Sequence, residues 1–252
     1  MTASSNNSIF EICVEGIDGV VAAQEGGGDR VELCASLLEG GITPSFGTIR
    51  AALKLCYLPI HVILRPRGGD FLYSDAEFAT MLDDARQIAK MNAAGIVIGC
   101  LTEDGRIDET RMKALIEAAQ PLSVTCHRAF DMTRDPEEAL EALIRCGVHR
   151  VLTSGQRATA VEAIPLLKKL NQQAAGRIIV MACGELAPDN IARVVQETGG
   201  REFHFAALKQ VPSGMAYRNP SVGMGGTELD REYTNTVSDP LRIRATIAAA
   251  RA

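Results

Sequence analysis

Residues 59–101 read PIHVILRPRGGDFLYSDAEFATMLDDARQIAKMNAAGIVIGCL, and the order of patterns inside that stretch decides the fold. An apolar run, PIHVILR, leads into a loop with two glycines. DAEFATMLDDARQIAKMNAAG follows, with apolar residues at helical spacing and Gly95 at its end. A second apolar run, GIVIGCL, closes the stretch. Strand, helix and strand in that order is the repeating unit of a parallel sheet covered by helices.

The unit recurs along the chain. IFEICV, RVELCA, LSVTCHR, RVLTSG, RIIVMACG and EFHFAAL bring the apolar runs to eight in 252 residues. Eight β/α units at this length predict a single (β/α)8 TIM barrel, in class α/β. The alternative, a doubly wound open sheet, usually carries GxGxxG after its first strand, and CVEGIDGVVAAQEGG does not have it. With no linker-like stretch, the reading is one domain over 9–252 behind a flexible polar leader at 1–8. KQVPSGMAYRNPSVGMGGTELDREY, residues 209–233, has little periodicity and is expected as a long loop able to fold over a mouth.

Composition narrows the partners. The net charge is −5, there is no Trp, and no Lys/Arg cluster is interleaved with aromatics, so nucleic acid is not expected. No run of eighteen apolar residues predicts a membrane span. The start, MTASSNNSIF, lacks the basic and apolar segments of an export signal. The seven cysteines are scattered without a C-x-x-C pair, which reads as reduced thiols in the cytoplasm.

In a barrel of this kind the chemistry sits at the C-terminal ends of the strands. Residues two apart share a face, so Glu11 goes with Cys13, and Arg30 with Glu32 and Cys34. EIC and ELC thus put the same two groups on neighbouring strands. Charges facing an apolar interior must pair, Arg30 with Glu11 or Glu32. In RPRGGD, Arg65 and Arg67 share a parity, and planar guanidiniums suit a carboxylate or phosphate. The bland alternative pairs Arg65 with Glu11 or Glu32, and Arg67 with Asp70. CHRAFD adds His127, Arg128 and Asp131, where a carboxylate near the histidine would fix its tautomer and raise its basicity. Ser154, closing RVLTSG, joins the ligand-binding candidates. His61 is expected away from the mouth, His149 on the surface, and His204 facing either the lumen or the core. Cys13 and Cys34 end adjacent strands, whose axes lie about 4.8 Å apart, so two soft thiolates could share one Cu(I). By spacing alone, two core cysteines are the better reading.

DRVELCASLLEGGITPSFG, RPRGGDFLYSD, TCHRAFDM, RVLTSG and YRNPSVGMG resemble the blocks of the CutC copper homeostasis family, in family order from Glu11 to about Gly226. The resemblance implies a cytoplasmic, homo-oligomeric barrel, a dimer or tetramer, that handles copper. It also implies Cu(I) on the cysteines of the first two strands, here Cys13 and Cys34. The chain departs from the family with Cys126 in place of Phe, Cys183 in place of Gly and Ala206 in place of Ser. The last two argue against a phosphate cup after the seventh and eighth strands. A second class of function remains open: an enzyme for a small anionic metabolite. There Arg30, Arg65, Arg67, Asp70, Arg128 and Ser154 would bind, while Glu11, Glu32, His127 or Asp131 would move protons.

Overall fold

The computed structural model describes residues 8–223 and 229–252. Apart from Ser8, the expected polar leader lies outside the described residues, as does part of the expected loop at 209–233. Eight parallel strands close into a barrel in sequence order, with β8 hydrogen-bonded back to β1. They are β1 (Ile9–Glu15), β2 (Arg30–Cys34), β3 (Ile60–Ile63) and β4 (Gly95–Ile98), then β5 (Ser123–Cys126), β6 (Arg150–Thr153), β7 (Ile179–Ala182) and β8 (Glu202–Phe205).

Helices α1 (Gly16–Gly26) to α7 (Ile191–Thr198) each follow a strand, and α8 (Pro240–Arg251) completes the ring. The stretch that decided the fold shows why the boundaries fall where they do. Ser74 accepts from the Glu77 backbone N–H and Glu77 returns the bond, so α3 (Asp75–Lys90) begins on a capping box. The outward residues of each strand, such as Phe10, Ile12, Val31, Leu33, Val62 and Ile96, are buried beneath the helices. Burying such a side chain contributes roughly 1.5–3 kcal/mol, so this outer layer carries most of the folding energy.

Beyond β8 the segment expected as a loop, 209–233, begins with a strand that pairs with another just past its end. β9 (Leu208–Pro212) and β10 (Thr234–Ser238) form an antiparallel ribbon, and β10 packs against α1. Threonine and valine in TNTVS suit an extended chain, but five residues were too few to stand out before pairing.

The lumen is narrow, and small residues make room in it. A Cβ on Gly95 would meet the His61 ring at 2.7 Å and the Ser123 carbonyl oxygen at 2.7 Å. The glycine on β4 is therefore what lets the imidazole on β3 lie inside the barrel. Gly95→Ala is expected to cost about 1–3 kcal/mol through overpacking. A urea midpoint unchanged from the parent protein would contradict this contact.

Candidate functional site

The alternation of the strands turns charged residues inward at the N-terminal side of the lumen. Register sets Glu11 beside Arg30 and Cys13 beside Glu32. Arg30 Nε donates to Glu11 Oε2 at 2.5 Å, and its NH2 group donates to Glu202 Oε2 at 2.5 Å. Arg150 Nε reaches the same Glu202 oxygen at 3.2 Å. Charges therefore alternate across the lumen. Burial opposes the Arg30 charge, but Glu11 and Glu202 more than restore it and raise its pKa. His61 lies in the same layer, 3.8 Å from Glu11 Oε2, and burial lowers it to a pKa of about 4, so the ring is neutral.

One step up, His204 Nδ1 donates to Glu11 Oε1 at 2.9 Å, and its Nε2 lies 3.6 Å from Glu32 Oε2. Burial would neutralise both His204 and Glu11. Their mutual bond, with Arg30 beside Glu11 and Cys13 beside His204, outweighs burial and keeps both ionised. Glu32 is pushed the other way, upward, by burial and by the negative charge that develops on Cys13. Two carboxyls on adjacent strands are thus pushed in opposite directions.

Cys13 Sγ and Cys34 Sγ face each other at 3.9 Å, both buried. The bond from Cys34 lowers the Cys13 thiol to about 5 against the cost of burial, with help from His204. Cys34 moves upward as the partner that keeps the proton. The ligand atoms of Cys13, Glu32 and Cys34 all lie within 4.8 Å of one another, a donor set that could hold a metal ion.

Above the thiols opens a cavity of about 250 Å³ on the C-terminal face. Cys13, Glu32, Arg65, His127, Arg128 and His204 supply its polar wall, and Leu37, Ile63 and Leu152 part of its apolar wall. Arg65 is clamped by carbonyls: NH1 donates to Glu39 O at 2.6 Å and Gly41 O at 3.1 Å, and NH2 to Gly69 O at 2.7 Å. His127 Nδ1 accepts the Ala129 N–H at 3.1 Å, so the ring carries its proton on Nε2. Burial and the Arg65 charge depress its pKa to about 3. Phe71 packs on both, with its centroid 5.0 Å from the Arg65 guanidinium carbon and 4.9 Å from the His127 ring centre.

The structure brings Glu11, Cys13, Arg30, Glu32, Cys34, Arg65, His127 and Arg128 into one lumen but divides them between layers. Arg30 is engaged by two carboxylates below the cavity. Arg67 and Asp70 pair with each other at 3.0 Å near the surface, where Arg67 also meets Glu77 at 2.7 Å. Asp131 does not reach His127. Its oxygens accept from Arg128 Nε, Thr153 Oγ1, the Ser154 and Gln156 backbone N–H groups and Ser154 Oγ, joining the β5 loop to the β6 loop. Ser154 Oγ in turn accepts from Arg128 NH2 at 2.7 Å. Cys126 points outward into the main core, Cys183 lines the lumen with Leu152 and Met181, and His149 is exposed. Sequence reasoning passed over Glu202, Arg150 and Phe71. Glu202 shares the parity of His204, and that was its available signal.

The profile of the CutC family matches residues 8–209. A CutC family protein from Mesorhizobium japonicum is 62% identical over 252 residues, 100% of this chain and 98% of its own length. The human protein named copper homeostasis protein cutC homolog is 44% identical over 248 residues, 98% of this chain and 91% of its own. A solved CutC structure from Streptococcus agalactiae superposes with a TM-score of 0.75 at 32% identity, covering 78% of this chain and 97% of that one. No helix among the described residues is long and apolar enough to cross a membrane.

Two outcomes follow from the lumen. Glu11→Ala leaves Arg30 and His204 without their shared carboxylate, and is expected to lose about 3–5 kcal/mol in denaturant titration. A loss below about 1 kcal/mol would mean that Glu202 and water replace it. The second concerns the thiols. Iodoacetamide should alkylate Cys13 ahead of every other cysteine below neutral pH, because its thiolate forms above about 5, whereas the bond to Cys13 raises Cys34 and burial raises Cys56, Cys100, Cys126, Cys146 and Cys183. Peptide mass mapping that finds Cys56 or Cys34 modified first would contradict that order.

Proposed function

The chain belongs to the CutC family, and from that premise we propose that it serves copper homeostasis by holding Cu(I) between Cys13 and Cys34. The observation that carries the reading is the thiol pair itself, two buried sulfurs 3.9 Å apart, with Cys13 in the wall of an open cavity. Thiolates are soft donors and select Cu(I) over the harder divalent ions. The separation is close to what one ion needs, since two metal–sulfur bonds of roughly 2.3 Å span at most about 4.6 Å. Glu32 stands as a third donor at the same point.

The electrostatics favour a monovalent cargo. The free pair shares one proton between a Cys13 thiolate and a Cys34 thiol. Cu(I) would enter as that proton leaves, so the buried charge stays the same and no new desolvation cost arises. A divalent ion would add a positive charge beside the imidazolium of His204. Cys126, turned outward into the main core, takes no part. The cytoplasmic location and homo-oligomeric state implied by the family resemblance belong to the same proposal.

The test is an anaerobic Cu(I) titration of the reduced protein against a competing chelator, with the Cys13→Ser/Cys34→Ser variant in parallel. One Cu(I) per chain, lost in the variant while its circular dichroism is retained, is expected. Affinity should rise with pH between about 5, where Cys13 ionises, and the raised Cys34 value, because one proton leaves per ion bound. Equal binding by both proteins would overturn the assignment.

A further inference from the structure

We propose that the cavity above the thiol pair binds a short monocarboxylate, with Arg65 and His127 donating to its carboxylate oxygens. Arg65 is 6% exposed, and no carboxylate lies within ion-pair distance of it among the described residues. A buried guanidinium balanced by carbonyl dipoles and one aromatic face, with no anion, is an expensive arrangement. The three carbonyls of Glu39, Gly41 and Gly69 hold it rigidly, yet they use three of its five N–H donors and leave Nε without a partner. The clamp fixes a cation in the cavity wall without neutralising it.

His127, 4% exposed, supplies the second donor. Its Nδ1 accepts the Ala129 N–H, which fixes the neutral tautomer and puts the proton on Nε2, and Nε2 also has no partner. Two buried donors without acceptors, both on residues that line one cavity, are complementary to oxygen. Phe71 packs against both side chains and sets them on a common wall. The Tyr73 hydroxyl, also buried and outside that wall, lies close enough to Arg65 to interact with the guanidinium, so a carboxylate would engage Arg65 from the cavity side.

The ligand class follows from charge, shape and size. One uncompensated guanidinium matches one negative charge, and its planar edge matches a carboxylate. Phosphate at neutral pH carries more charge than this wall offsets. Ala206 also offers no hydroxyl after β8 with which to cradle it. About 250 Å³ with Leu37, Ile63 and Leu152 in its wall suits a few apolar carbons behind the carboxylate.

The experiment uses the full, reduced, metal-free chain, so its outcome does not depend on whether the thiols take copper. Acetate, propanoate and 2-oxopropanoate are titrated calorimetrically and in thermal unfolding, against chloride at matched ionic strength and against inorganic phosphate. Saturable one-to-one binding of a carboxylate with a rise in unfolding temperature is expected. In His127→Asn the amide oxygen can still cap the Ala129 N–H while the Nε2 donor is gone, and affinity should fall about tenfold or more. Arg65→Gln should abolish binding. Because that variant also loosens the carbonyl clamp, His127→Asn decides the matter if it unfolds. The proposal is overturned if no carboxylate saturates, if phosphate binds more tightly than all three, or if His127→Asn binds as the parent does.

Discussion

Arg30 lies between Glu11 and Glu202 at the narrow end of a barrel whose other inward positions leave it few partners. Parallel register makes this contact unavoidable. Once Glu11 is opposite Arg30 and Ile9 opposite Glu202, the three side chains converge whatever else the chain does. Taking such charges out of water costs several kcal/mol per ion, so the alternating chain of Glu11, Arg30, Glu202 and Arg150 is tolerable only because each member is bonded on more than one side. It does not make the protein more stable than an apolar plug would. It fixes Glu11 as an ionised carboxylate at a set height in the lumen.

Everything above depends on that ionised carboxylate. Glu11 holds His204 in its charged form, and charged His204 supports the Cys13 thiolate. Burial and the thiolate together push Glu32 upward, toward its neutral form. The outer core of Phe10, Ile12, Leu33 and their neighbours contributes far more energy, but it is indifferent to which residues face inward. The polar column pins the inward set, since a one-residue slip of β1 or β2 would send Glu11 or Arg30 into that outer core.

What the sequence disclosed follows from how local each interaction is. Strand parity needs only the next residue but one, so EIC and RVELC revealed which side chains share the lumen and left the partner of Arg30 between Glu11 and Glu32; the structure gives Glu11. The partners of Arg65 could not be read, because they are the carbonyls of Glu39, Gly41 and Gly69, and a carbonyl has no letter. Asp131 misled for a related reason. Four residues from His127 is near in the chain, but the loop turns its oxygens to the N–H groups after β6. His61 was expected away from the mouth and lies in the lowest layer, yet its inward turn depends on the absent side chain of Gly95, a strand away.

Cys13, one of the thiol pair, and the Arg65 guanidinium line one cavity, so an occupant of either site would be felt by the other. The sign of that coupling can be argued. Exchange of a proton for Cu(I) leaves the charge at the cysteines unchanged, and an anion on Arg65 would meet nearly the same field before and after. To first order, then, the two ligands are coupled by volume alone: each would weaken the other only where Cys13 and Glu32 intrude on the space shared above them. A divalent metal behaves differently, since its added positive charge would draw the carboxylate in, and by linkage the carboxylate would draw in the metal by the same factor. Cooperative binding with a divalent ion and none with Cu(I) is thus the behaviour expected if both proposed ligands bind here.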